Sequence, residues 1–248
     1  MTPAINFSDQ ITNDGFAVLP HVFTPEEAQA LRDDLLAALT PSSSAVMQSD
    51  AGSIYAARNI LSLWPRAAVI WRQPVLLEAL TAILGPGFGL VRTLYFDKPP
   101  DRTWALPWHK DLTIAVKDNR LPTRHFGKPT RKAGVPHVEA SAAVLERMLF
   151  ARIHLDDVTE ENGPLQVVPG SHRDGKEMKL GQSPPRSILA ERGDVLLIRP
   201  LVAHASGKSH PDTQRHRRIL HLEFAASREL PDDYQWHEFV PAAGNRPG

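Results

Sequence analysis

Beyond residue 85 the chain is a succession of short apolar stretches, each stopped by a turn-forming cluster such as ENGP, PGSH or ERGD. Chain punctuated so often cannot run in long helices and has to bury its apolar residues by pairing strands. The 22 prolines and 15 glycines fit many turns between short elements. Strands are expected at 148–155 (MLFARIHL), 165–168 (LQVV), 194–198 (DVLLI) and 217–225 (RRILHLEFA). Leu90, Arg92, Leu94 and Phe96 share one parity and predict another strand.

The first third reads differently. Phe16, Val18 and Leu19 suggest a short strand ended by Pro20. Thr24 is placed to cap a helix, with Pro25 at its first position and Glu27 three residues after the cap. Ala28, Leu31, Leu35, Leu36 and Leu39 then recur at helical spacing until Thr40-Pro41. Residues 41–60 are small and polar and predict a loop; helices are expected at 65–72 and 75–84, the second stopped by Gly85-Pro86. The segment 117–140 is polar, rich in Pro and Gly, and predicts a long lid or binding loop. These readings give one domain over 1–248: a helix-rich part (1–87), a β core (88–226) and a C-terminal extension (227–248).

Composition narrows the function. Twenty-eight basic and 28 acidic side chains give a formal net charge of +0. No charge bias therefore points to nucleic acid or an anionic membrane surface. With no cysteine, disulfides, iron–sulfur clusters and thiolate zinc sites are excluded, and any metal falls to His and carboxylate. No apolar run approaches the roughly 18 residues of a membrane helix, and MTPAINFSDQ lacks the basic-then-apolar texture of a secretory signal. A cytoplasmic protein acting on a small molecule is expected, with nothing specifying an oligomeric state.

The chemistry concentrates in two places. In WHKD, His109 and Asp111 stand two apart, so on a strand both side chains face one way. In ERGDVLLIRPLVAHASG, an apolar strand runs toward His204. Two imidazoles and one carboxylate leave one face of an octahedral iron(II) open, as an oxygenase requires. On the RHRRILHLEFA strand, Arg217 shares parity with Ile219 and His221, and Arg218 faces the other way. Only one of the two can reach inward to clamp a dicarboxylate.

The stretches FDKPPD, LPWHKD, RIHLDDVTEENGPLQVVPGSHR, RGDVLLIRPLVAHASG and RRILHLEFA resemble the phytanoyl-CoA dioxygenase family of 2-oxoglutarate oxygenases. The resemblance runs from about residue 88 to residue 226. It implies a double-stranded β-helix, a jelly-roll barrel with the metal at one mouth. It implies iron(II) held by His109, Asp111 and His204, with 2-oxoglutarate and dioxygen as co-substrates, and hydroxylation of a C–H bond. The retained Asp111 separates the chain from related halogenases, which carry a small residue there so that halide can bind iron. Ser206 matches a position that binds the co-substrate carboxylate, and Arg152 a position beside the co-substrate. Arg217 is favoured as the clamp, with Arg218 and Arg215 as alternatives. A cupin-type hydrolase or isomerase without 2-oxoglutarate, and a non-catalytic binding barrel, are the rival readings.

Other residues read as structural. His154 and His221 fall within expected strands, as core or cavity residues; His210 and His216 are further rivals for the metal. His172 in PGSH, Asp156-Asp157 and Asn162-Gly163 suit turn and loop roles. Trp104 and Trp108 suit either core or substrate wall. Lys132 and His137 read as solvated loop residues more than as contacts for an anionic substrate.

Overall fold

Apolar alternation pairs the strands into one large and two smaller sheets, seen in a computed structural model that describes residues 7–181 and 183–242. In chain order the helices are α1 (Phe7–Asn13), α2 (Pro25–Ala38), α3 (Ile60–Leu63), α4 (Pro74–Leu84) and α5 (Ala142–Leu145). The strands are β1 (Phe16–Leu19), β2 (Val46–Gln48), β3 (Ile54–Ala57), β4 (Gly89–Phe96), β5 (Leu106–His109), β6 (Thr113–Ala115), β7 (Phe126–Lys132), β8 (Val135–Ala140), β9 (Met148–His154), β10 (Leu165–Val167), β11 (Arg186–Ile188), β12 (Val195–Ile198), β13 (His204–Ser206), β14 (Ile219–Ala225) and β15 (Val240–Pro241). The large sheet runs β1-β12-β9-β14-β4-β3-β2, with β15 also on β4; the second runs β11-β10-β13-β5; the third runs β6-β8-β7. All the strand pairs between them are antiparallel.

The large sheet is apolar on both faces for different partners. Leu149, Ala151 and Ile153 of β9, Val195 and Leu197 of β12, and Leu220, Leu222 and Phe224 of β14 meet Leu31 and Leu35 of α2 and Leu76, Leu80 and Leu84 of α4. Each such Val, Leu, Ile or Phe side chain contributes about 1.5–3 kcal/mol on burial. Trp71, Phe88 and Phe224 form an aromatic cluster in this layer, with Trp71 and Phe224 edge-on at 5.3 Å between centroids. The opposite face carries Phe150, Leu196 and Ile198 onto Leu165, Val167 and Ile188 of the second sheet. At one end of that face Arg92, Arg152, His221 and Glu223 replace the apolar residues and open a cavity between the two sheets.

α2 starts as its sequence predicts. Thr24 Oγ1 accepts from Glu27 N at 3.1 Å, and Thr24 N donates to Glu27 Oε2 at 2.8 Å. The strands expected from 148 onward form within a residue or two of their predicted bounds.

Four expectations are corrected. The 41–60 loop holds β2, β3 and the start of α3; small residues such as Ala56 and Ala57 pair with Phe96 and Tyr95 and carry no periodic signal of their own. The 65–72 helix is two 3₁₀ turns, Pro65–Ala68 and Ile70–Arg72. The 117–140 lid is mostly the β7–β8 hairpin, joined to β6 by β8. β7 is an edge strand of exposed polar residues with Pro129 inside it and a register break beside Lys128, features that disguise a strand. Finally, Leu90 does not share a face with Arg92. A bulge at Val91 puts two β4 residues against one step of β14, so Leu90 turns to the helices and Arg92, Leu94 and Phe96 turn to the cavity.

The segments flanking the β core also supply strands. β1 pairs with β12, β3 with β4, and β15 with β4, so the helix-rich part and the extension both build the large sheet. No single described helix is long and apolar enough to cross a membrane.

Two substitutions grade this packing. Leu222→Ala, at a fully buried site, is expected to cost about 2–5 kcal/mol in urea unfolding. Thr24→Ala, which removes only the cap, is expected to cost about 1 kcal/mol.

Candidate metal and co-substrate site

His109 ends β5 and His204 begins β13, and the register sets them directly opposite one another. Cross-strand partners project to the same side, and the two rings lie 4.2 Å apart between centroids. The chain turns after His109, and Asp111 N donates to Pro200 O at 3.0 Å. Asp111 Oδ1 then lies 3.9 Å from His109 Nε2, and Oδ2 lies 3.5 Å from His204 Nε2. One donor atom from each of the three residues falls within 4.8 Å of the others.

Both histidines are set in the tautomer a metal needs. His109 Nδ1 contacts Pro107 O at 2.8 Å, and His204 Nδ1 contacts Val202 O at 2.9 Å. A carbonyl can only accept, so each Nδ1 carries the proton and each Nε2 presents a lone pair inward. Burial holds His204 down to about 4, which keeps its ring neutral at neutral pH. Burial raises the Asp111 carboxyl, but His204, His221 and His109 outweigh it and hold the group below its usual range. Two imidazoles and a carboxylate are a donor set that fits iron(II) and leaves one face open.

Lys110, between the two ligands, faces away and is buried. Its Nζ donates to Ser171 O and Gly175 O, both at 2.8 Å. Ser171, from the PGSH turn, accepts from Ala203 N at 2.8 Å and donates to Val168 O at 2.6 Å through its hydroxyl. One serine therefore ties the His109–Asp111 turn to the residue before His204.

A cluster of buried cations lies beside this centre. Arg217 Nη1 donates to Gly163 O at 2.7 Å and its Nε has no partner. Lys98 is fully buried. Its Nζ donates to Ser206 Oγ at 3.2 Å, to Gly163 O at 3.3 Å and to Gly207 O. Arg152 lines the same cavity and makes no side-chain hydrogen bond or ion pair among the described residues. Burial, then Arg217 and Arg152, push Lys98 down to about 7, and burial and Arg152 push Arg217 down to about 9. Among the described residues no carboxylate pairs directly with any of the three. Such a group of charges calls for an anion.

The rival arginines lie elsewhere. Arg218 forms a two-pronged pair with Asp156 at 2.6 and 3.0 Å, and Arg215 pairs with Glu161 at 3.4 Å near the surface. Lys98 escaped the sequence reading because KPP looks like a surface turn. The alternation of Arg92, Leu94 and Phe96, carried one step past the strand, places it inside.

The cavity of about 330 Å³ extends past the centre to Arg58, Arg92, Thr113, Lys132, His221 and Glu223. Lys132 thus faces the cavity, and His137 is only 2% exposed, so neither is a solvated loop residue. The β7–β8 hairpin folds them inward. Trp104 lines the cavity and donates from Nε1 to Asp97 O at 3.1 Å, whereas Trp108 is not part of the lining. The remaining singled-out residues stand outside. His154 donates to Asp194 O, His172 contacts Thr12 O, His216 pairs with Asp97 and His210 is exposed. Asp157 accepts from Arg192 N, and Asn162 caps its own turn at Thr159 and Asp157.

The fold and site together define a double-stranded β-helix with a two-histidine, one-carboxylate cluster between its sheets. The chain belongs to the phytanoyl-CoA dioxygenase (PhyH) family, whose model matches residues 11–219. It is 28% identical over 175 residues to an ectoine dioxygenase of Bordetella parapertussis, across 67% of this chain and 49% of that protein. The chain spans about half the length of the curated relatives it matches. The crystal structure of EctD from S. alaskensis with bound Fe superposes with a TM-score of 0.66 at 18% identity, covering 92% of this chain and 82% of that one. The epimerase SnoN in complex with Fe3+, alpha ketoglutarate and nogalamycin RO gives 0.62 at 18% identity, covering 97% and 95%.

Two outcomes follow from this geometry. Lys110→Met and Ser171→Ala leave all three donors in place but loosen their supports, so each is expected to weaken divalent metal binding by about 10–100-fold in calorimetric titration. The buried neutral histidines also make stability depend on pH. Burial sets His137 and His154 at about 4, below their unfolded value of 6.5. Between those values the unfolded chain takes up protons that the folded chain does not, so stability falls as pH drops from 6.5 toward 4. Urea unfolding across that range should show the fall, and His154→Gln should make it shallower.

Proposed function

We propose that this chain is an iron(II)- and 2-oxoglutarate-dependent dioxygenase that hydroxylates a C–H bond of a small molecule. The observation that carries the reading is the adjacency of the His109–Asp111–His204 cluster to buried cations without carboxylate partners. A 2-oxoacid with a distal carboxylate answers both halves of that arrangement.

In this reading His109, Asp111 and His204 hold the metal, which with 2-oxoglutarate supplies the activation of dioxygen as the co-substrate is converted to succinate and carbon dioxide. Arg217 and Lys98 hold the distal carboxylate, and Ser206 adds its hydroxyl. Gly163 keeps the cradle open: at φ +67 it sits where a Cβ would come within 2.7 Å of Gly207 O and 2.9 Å of Lys98 Nζ. Arg152, beside Asp111, orients the acid end. Leu94, Phe96, Leu165 and Trp104 wall the site against water. The carboxylate at Asp111 occupies the position that a halide would need, which supports hydroxylation over halogenation. A hydrolase or isomerase working without 2-oxoglutarate would have no co-substrate carboxylate for the cation cradle to hold. A small-molecule partner, with no role for nucleic acid or membrane, and a cytoplasmic location complete the reading.

Anaerobic addition of iron(II) and 2-oxoglutarate is expected to produce a weak visible charge-transfer band, lost in His109→Ala. Arg217→Met should weaken 2-oxoglutarate binding about 10–100-fold, matching charge-assisted bonds at roughly 1.5–3 kcal/mol. Arg218→Met should lower stability through Asp156 and leave that affinity as it was. Oxygen uptake without succinate formation would overturn the assignment.

A further inference from the structure

The cavity has a second cationic end that the co-substrate cannot reach. Arg217 stands two residues before β14 and Glu223 lies on it six positions further on, which at an extended chain's rise is roughly 20 Å. Between them Arg152 is paired in register with His221, near Asp111. The iron-ligand cluster therefore sits between two charged ends. At the far end Arg92 Nη1 lies 3.1 Å from Glu223 Oε1, and His221 Nε2 lies 3.6 Å from the same oxygen. One carboxylate is thus shared by the groups closest to it.

Arg58 and Lys132 are left over. Arg58 follows β3 and lines the cavity with no side-chain hydrogen bond or ion pair among the described residues. Lys132 closes β7 and, among the described residues, donates only to Thr113 Oγ1, at 3.0 Å. Both are held below their ordinary values, first by burial and then by neighbouring cations: Arg92 for Arg58, Arg92 and Arg58 for Lys132. Three cations around one carboxylate leave a local excess of positive charge in a partly desolvated pocket, on a chain whose formal net charge is +0. The two come from different sheets, so they converge on the cavity only in the folded protein.

We propose that the primary substrate carries an oxyanion, a carboxylate or phosphate, gripped by Arg58 and Lys132. Arg92, steadied by Glu223, adds to the positive field. Held by that end, the substrate presents its reacting carbon to the centre formed by His109, Asp111 and His204. This deepens the oxygenase reading and rests on it for the chemistry, though the anion grip is measurable alone.

The test uses the full chain loaded anaerobically with iron(II) and saturating 2-oxoglutarate, titrated with inorganic phosphate, benzoate and the neutral analogue benzamide. Phosphate or benzoate is expected to bind at least tenfold more tightly than benzamide, and more tightly at low salt. A preference for benzoate assigns the group as a carboxylate, and a preference for phosphate as a phosphate ester. Arg58→Met and Lys132→Met should each reduce oxyanion affinity about tenfold while the charge-transfer band persists. Arg217→Met should do the reverse. The variants lie in separate segments, one just after β3 and one at the end of β7, so one remains informative if the other does not fold. Benzamide binding as well as both oxyanions, or folded Arg58→Met and Lys132→Met binding oxyanions like the parent chain, overturns the proposal. Should the parent chain give no band, the oxygenase reading fails, and the same oxyanion titration without metal still decides the grip.

Discussion

Two backbone carbonyls, Pro107 O and Val202 O, govern what the centre of this molecule can do. Each takes the proton-bearing nitrogen of the histidine two residues on and so commits the other nitrogen to the cavity. The commitment is useful only because β5 and β13 pair with those histidines opposite one another, and that register is kept by what lies behind it. Lys110 and Ser171 bind the turn after β5 to the chain entering β13, and Asp111 hangs on Pro200. A cluster of three side chains that could hold a metal is thus assembled mainly by main-chain contacts.

Charge placement follows a different logic. A folded interior with Lys98, Arg152 and Arg217 close together and, among the described residues, no carboxylate paired directly with them is less stable than one lined by apolar residues of the same size. Large apolar layers on both faces of the main sheet offset this cost. Binding of an anion relieves it, so the same groups that weaken the ligand-free protein should make co-substrate binding stabilise it.

The parts legible in the sequence were those with local signals. The Thr24 capping box, the helix it opens and the strands from 148 onward all follow from spacing and turn residues. The His109, Asp111 and His204 constellation was legible from residue types together with the family-like segments, though Asp111 reaches its place through the turn after β5 and not by strand parity. Arg217 was legible from its place in the last family-like segment; the structure gathers all four around one cavity. What escaped depends on tertiary partners. The β7–β8 hairpin is written in polar residues because its edge faces water, and only its inner side carries Lys132 and His137 to the core. Lys98 lies two residues past the end of a strand and is inside only because that strand's alternation continues past its end. Leu90 changed faces at a bulge, which no periodicity count detects.

The pairing of β1 with β12 has a consequence for how the molecule is made. Phe16 lies against Ile198, and His21 N donates to Asp194 across a separation of 173 residues. A ribosome releases β1 long before β12 exists, so the emerging chain carries an unpaired apolar edge until residues 195–198 appear. The large sheet can be completed only once β12 has emerged, and the site forms late for the same reason, since His204 and Arg217 follow β12 in the chain. Assembly of the fold and assembly of its chemistry are therefore a single, non-local event, slow by topology.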